Sequence, residues 1–96
     1  MKSNYQISII DKLRTLRQEH QFSQAQVASI LGISTGQMGN IETLKASHKY
    51  TLEQIYTLCK KFKISVVDIF LNDEEKKLPA DEKINVLIKN IVNYER

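Results

Sequence analysis

Tryptophan is absent from this sequence, and its 96 residues include one cysteine, one proline and three glycines. Each scarcity excludes something. The single Cys59 cannot close a disulfide within the chain or build a thiolate cluster, so the cytoplasm is the expected compartment. The two histidines, His20 and His48, are separated and give no ligand spacing with that cysteine, so no metal or other cofactor is expected. Neither histidine has an evident acid partner, and the chain is not expected to be an enzyme. No apolar run approaches the roughly 20 residues of a membrane span. The opening MKSNYQISIIDK lacks the long apolar stretch of a signal peptide. Tyr5, Tyr50, Tyr56 and Tyr94 are scattered, and do not form the stacking platform of a single-strand nucleic-acid binder. With so few breakers and many Leu, Ile, Gln and Lys, helices are favoured over a sheet.

What remains is an ordinary globular mixture. Hydrophobic residues make up 42% and charged residues 26%, which suits one small core with an extra element to spare. The net charge is +3, compatible with a nucleic-acid partner without identifying one. That charge is uneven. Residues 1–72 carry nine Lys/Arg against five Asp/Glu, whereas residues 73–96 carry five against six. Two units are therefore expected: residues 1–72 as a helical domain, and residues 73–96 as a charged linker with a C-terminal helix.

The organising stretch is Gln24 to Thr43, QAQVASILGISTGQMGNIET. Val27, Ala28 and Leu31 fall on one face of a first helix. Gly32 follows, and Ile33, Met38 and Ile41 continue the apolar set on a second helix. Ala28 is small where the second helix must come close, and Gly32 sits where the chain must turn sharply, a place for positive φ. Both helices carry start signals. Ser23 with Gln26 and Ser34 with Gln37 each read S-x-x-Q, the capping box that satisfies two orphan amides. Two short helices crossing steeply through a tight turn form a helix-turn-helix, and point to duplex DNA. The alternative is a helical hairpin that merely serves an all-α core.

The flanking segments follow the same periodic logic. Ile9, Leu13 and Leu16 lie at i, i+4, i+7 and predict a helix from near Ser8, or slightly earlier, to Glu19. Helices are also predicted over 24–31 and 35–43. Residues 44–50, LKASHKY, have no period and read as a loop. Thr51 with Gln54 gives another capping box, ahead of a stripe of Leu52, Ile55, Leu58, Cys59 and Phe62. Cys59 inside that stripe reads as a small buried hydrophobe. Lys60, Lys61 and Lys63 suit the negative end of that helix. Ser65 caps a short helix over 66–71. Residues 72–78, NDEEKKL, read as a linker. Pro79 fits the first position of a last helix, 79–94. Ile84, Leu87, Ile88, Ile91 and Val92 give it a strong apolar stripe.

Gly36 and Gly39 stand out inside the second helix of the motif. Each costs about 0.5–1 kcal/mol relative to alanine in a helix interior. Either the helix is frayed or short, or the missing side chains let its backbone approach a ligand closely.

At Gln24–Thr43 the sequence resembles the Cro/C1-type, phage repressor-like helix-turn-helix family. The likeness extends over most of residues 9–71, including the span IIDKLRTLRQEHQFSQAQVASILGISTGQMGNIE and the later TLEQIYTLCKKFKISVVDIF. It implies an all-α, five-helix lambda-repressor-like DNA-binding domain, with the last amphipathic helix as an addition. It also implies roles. Thr35, Gly36, Gln37 and Asn40 fall on the base-reading positions. Asn40 is suited to pair bidentately with adenine, and Thr35 to meet a thymine methyl group. Gln24, at the start of the first helix of the motif, and Ser34 fall on phosphate-binding positions, with Lys45 and Lys49 supplying charge and Arg14 or His48 as further sources. Arg17 and Glu42 match a structural arginine–glutamate pair. The sequence departs from the pattern at Gly36, at the glycine missing after Glu42, and in having no Lys or Arg on the reading helix.

The stripe Ile84, Leu87, Ile88, Ile91 and Val92 must be covered. It can fold back on the domain, pair with its mate in a twofold homodimer, or dock a different protein, as in antitoxin systems. The function expected is sequence-specific double-stranded DNA binding by a transcriptional regulator, a repressor acting as a homodimer. An interaction module that docks a protein through the last helix is the competing reading.

Overall fold

The computed structural model describes residues 1–43 and 46–96. Among the described residues there are seven helices and no strand. They are α1 (Asn4–Glu19), α2 (Gln24–Leu31), α3 (Thr35–Glu42), α4 (Leu52–Phe62), α5 (Val66–Phe70), α6 (Asp73–Lys76) and α7 (Ala80–Glu95). The fold is all-α. Helices α1 to α5 make the five-helix domain, and α7 is the added C-terminal helix.

Local chemistry starts most of these helices. The three boxes at Ser23–Gln26, Ser34–Gln37 and Thr51–Gln54 all form, with both reciprocal bonds present. The same arrangement occurs at Ser3–Gln6, Ser65–Asp68 and Asn72–Glu75. Two expectations are corrected by it. Helix α1 starts at Asn4, a full turn before Ser8, because Ser3 accepts from the Gln6 amide at 3.1 Å and Gln6 answers at 2.9 Å. The stretch 72–78 is not a plain linker, because the Asn72–Glu75 box winds Asp73–Lys76 into a helical turn. The helix predicted over 35–43 ends at Glu42, where Thr43 turns to extended backbone.

Gly32 ends α2 in the left-handed region at φ 71°, and lets the Ile33 amide reach back to the Ala28 carbonyl at 3.0 Å. Helix α3 can therefore begin at Thr35, with only Gly32, Ile33 and Ser34 between it and α2. Its Met38 and Ile41 join Val27 and Ala28 in one core with Ile9, Ile10 and Leu13 of α1. Helix α4 adds Ile55, Leu58, Cys59 and Phe62, and α5 adds Ile69 and Phe70. Each fully buried aliphatic side chain here contributes about 1.5–3 kcal/mol relative to exposure. Burial, then the nearby Asp68 carboxylate, pushes the Cys59 thiol up to about 11, as befits a packed and unreactive sulfur.

The stripe on α7 splits in two. Leu87 and Ile91 pack against the core, together with the fully buried Tyr94. Ile84, Ile88 and Val92 stay 56%, 55% and 46% exposed. Tyr94 is the cause. Its ring meets Phe70 edge-on at 5.8 Å, its hydroxyl donates to the Tyr50 carbonyl at 2.8 Å, and its own carbonyl accepts from Gln6 Nε2 at 2.6 Å. The Tyr50 hydroxyl in turn reaches Met38 Sδ of α3 at 3.8 Å. Burial raises the pKa of both phenols well above the ordinary value, so they serve as neutral donors.

Candidate nucleic-acid interface

Helix α3 divides cleanly by face. Met38, Ile41 and Glu42 point into the protein. Thr35, Gly36, Gln37 and Asn40 are all exposed, on the side away from the core. The four form a shallow, nearly neutral surface over the first turns of the helix.

Hydrogen bonding determines what each polar group has left to offer. Ser34 Oγ accepts from the Gln37 amide at 3.0 Å, and Gln37 Oε1 accepts from the Ser34 amide at 2.9 Å. The Gln37 oxygen is thus occupied, while its amino group remains to donate, toward a phosphate or a base acceptor such as guanine O6 or N7. Gln24 is partly committed as well. Its Nε2 donates to Glu42 Oε1 at 2.9 Å, and its Oε1 lies near Gly39. Lys49 Nζ reaches the Glu95 carbonyl at 3.3 Å and lies 5.9 Å from the centre of the Tyr94 ring. His48 is exposed. Lys45 lies outside the described residues.

The two glycines of α3 are not explained from within. The helix runs unbroken through both, so fraying is not the reason for them. A Cβ at Gly36 would meet only Ser34 Oγ at 3.8 Å, and one at Gly39 only Gln24 Oε1 at 3.8 Å, both ordinary contacts. Neither position has a positive φ. Alanine would fit at both and favour the helix.

Below the exposed face lies a buried charged node. Arg17 Nε and Nη2 grip the Glu42 carboxylate at 2.8 and 2.9 Å, a bidentate pair with side chains 12% and 2% exposed. Arg17 Nη1 also donates to the Phe22 carbonyl at 2.9 Å, which ties the α1–α2 turn to the same point. Arg14 Nη2 donates to the Glu42 carbonyl at 2.5 Å. The structure therefore brings Arg17, Gln24 and Glu42 together, and directs Arg14 to the end of α3.

Sequence reasoning missed Lys2. Only 5% exposed, it donates to the carbonyls of Asn40 at 3.3 Å, Ile41 at 2.6 Å and Thr43. It also missed Gln6 and Tyr94. A usable signal existed for the first turn, since Ser3-x-x-Gln6 repeats the motif read elsewhere in the chain.

The profile of the Cro/C1-type helix-turn-helix DNA-binding domain matches residues 12–72. This chain belongs to that family. The Cro/C1-type match covers α1 from Lys12 through α5 to Asn72, leaving Lys2, α6 and α7 outside it. Among curated proteins, the antitoxin PezA of Streptococcus pneumoniae serotype 4 is 32% identical over 84 residues, which is 88% of this chain and 51% of PezA. The chain thus spans about half the length of the curated relative it matches. No solved structure matches it significantly. Among the described residues, no helix is long and apolar enough to cross a membrane.

Proposed function

We propose that this Cro/C1-type chain is a sequence-specific double-stranded DNA-binding regulator that works in the cytoplasm, and represses by occupying a promoter as a homodimer. Thr35, Gly36, Gln37 and Asn40 read base edges in the major groove. Gln24, Ser34, Lys45 and Lys49 meet phosphates. Arg17 and Glu42 hold the reading helix from behind.

The observation that carries this reading is the pair of glycines on α3. The fold has room for a Cβ at both, so their cost of about 0.5–1 kcal/mol each calls for a reason outside the chain. A duplex pressed against the helix backbone is such a reason. Gly36→Ala and Gly39→Ala should raise thermal stability while weakening binding to the duplex. Equal or tighter binding by both variants would contradict the close approach. The operator itself is found by selecting bound duplexes from a random library at near-physiological salt. A twofold motif with half-sites about 34–36 Å apart, or a multiple of that, is expected. Asn40→Ala should abolish the preference.

The second copy is supported by the exposed half of α7. Ile84, Ile88 and Val92 recur every fourth residue along one ridge. At its N-terminal end Asp81 and Glu82 outnumber Lys83, and toward its C-terminal end Lys89 and Arg96 outnumber Glu95. Antiparallel pairing of two such ridges sets a net negative end against a net positive one, whereas parallel pairing sets ends of like net sign together. Ile88→Asp should leave a monomer in sedimentation equilibrium. A second reading is favoured by the antitoxin relative: the same ridge docks a different protein, and DNA binding is secondary. A folded chain that enriches no duplex and sediments as a monomer would favour it.

A further inference from the structure

We infer that Lys2 is a positioning residue for DNA reading: its ammonium anchors the C-terminal end of α3, and so sets the pose of that helix against the duplex. The inference rests on the DNA-binding reading above and adds a residue outside the family match.

An α-helix ends with carbonyls that have no partner in the helix. Helix α3 lacks the left-handed cap that closes α2, since Thr43 is extended at φ −84°. Its last carbonyls therefore need donors from elsewhere. An ammonium has three N–H groups and no acceptor. Lys2 places all three on this end, on Asn40, Ile41 and Thr43, while Arg14 takes the Glu42 carbonyl. Four successive carbonyls are thereby covered by two cations at the negative pole of the helix. A lysine this buried is held by such a set of acceptors and not by water. One of those carbonyls belongs to Asn40, a base-reading residue, so the contact fixes the backbone that carries that side chain.

The position also says what Lys2 does not do. With its three donors spent and its side chain covered, it is not a phosphate ligand. Its effect on DNA runs through the helix. Both Lys2 and Gln6, which holds the Tyr94 carbonyl, sit at the start of α1, so the end of α3 and the end of α7 share one anchor.

The test compares the full chain with Lys2→Met, which keeps length and loses charge, and Lys2→Arg, which restores charge. Duplex binding is measured well below the melting temperature, over a range of salt. Lys2→Met should bind about tenfold more weakly, within the span of coupling effects transmitted through packed elements. Its slope of log affinity against log salt should be unchanged, and Lys2→Arg should recover part of the loss. Amide exchange should speed up in the last turn of α3 while α4 is unaffected. Unchanged affinity would overturn the assignment. So would a loss accompanied by a slope shallower by about one unit, which marks a direct phosphate contact. If Lys2→Met fails to fold, the wild-type chain still decides: the Lys2 ammonium protons should exchange with water far more slowly than those of Lys77, and equal rates would refute the anchor. If the wild-type chain binds no duplex, the DNA reading falls, and the exchange measurements alone decide whether α3 is held by Lys2.

Discussion

Helices α2 and α3 begin alike and end differently. Both are eight residues long, and both start with a Ser whose hydroxyl and a Gln whose side chain exchange bonds across the first turn. Helix α2 then closes itself, through Gly32 in the left-handed region and the Ile33 amide on the Ala28 carbonyl. Helix α3 cannot. Its end is closed by Lys2 and Arg14, and its last side chain is gripped by Arg17 and Gln24. Helix α2 is autonomous, while α3, the helix proposed to read base edges, depends on distant parts of the chain. A helix held this way can carry two glycines and an exposed polar face, because its position is set from behind and not by its own propensity.

The contrast can be attacked at several points. The largest effect should come from Glu42→Ala, which leaves Arg17 partly buried without its carboxylate, and should cost about 3 kcal/mol in denaturant unfolding. A loss below 1 kcal/mol would mean that the node is not what holds α3. Gly32→Ala attacks the other helix. No neighbour lies within 4 Å of the added Cβ, so the cost is purely the left-handed backbone, about 1–2 kcal/mol. Urea midpoints with unchanged slopes would record it. Ser23→Ala and Ser34→Ala should cost about 1 kcal/mol each, and nearly the same, if the two starts are equivalent. A clear inequality between them would show that the resemblance of the two helix starts is only geometric. Cys59 supplies the smallest effect: its thiol should react with alkylating agents no faster than global unfolding permits, as counted by mass spectrometry.

The same contrast separates what the sequence made legible from what it did not. Helix starts were readable because a capping box is written within four residues. The turn was readable because Gly32 stands directly at it. The core face of α3 followed from the spacing of Met38 and Ile41. The end of α3 was not readable, since Lys2 and Ile41 lie 39 positions apart and nothing in one sequence pairs them. The five stripe residues of α7, Ile84, Leu87, Ile88, Ile91 and Val92, span an arc of about 140° on a helical wheel, wider than one seam. Tyr94, tied to Tyr50 and Gln6, and Asn90, which donates to the Phe70 carbonyl at 2.8 Å, fix which half of that arc turns inward. The roles given to Thr35, Gln37 and Asn40 came from a resemblance, because the spacing of a short helix tells which side chains face outward and not which ligand they meet.

The Gln6–Tyr94 bond spans 88 positions and the Lys2–Thr43 bond 41, and both are made by the turn that opens α1. This has a kinetic meaning. Closing loops this long loses chain entropy before any contact forms, which slows folding relative to a fold held by local contacts alone. The α2–α3 hairpin uses neighbouring residues and can assemble early, with its second helix still loose at one end. The first turn of α1 is then the piece whose docking ties down that end and α7 together. Both loops close on the same few residues, so one turn sets how fast two distant helix ends find their places.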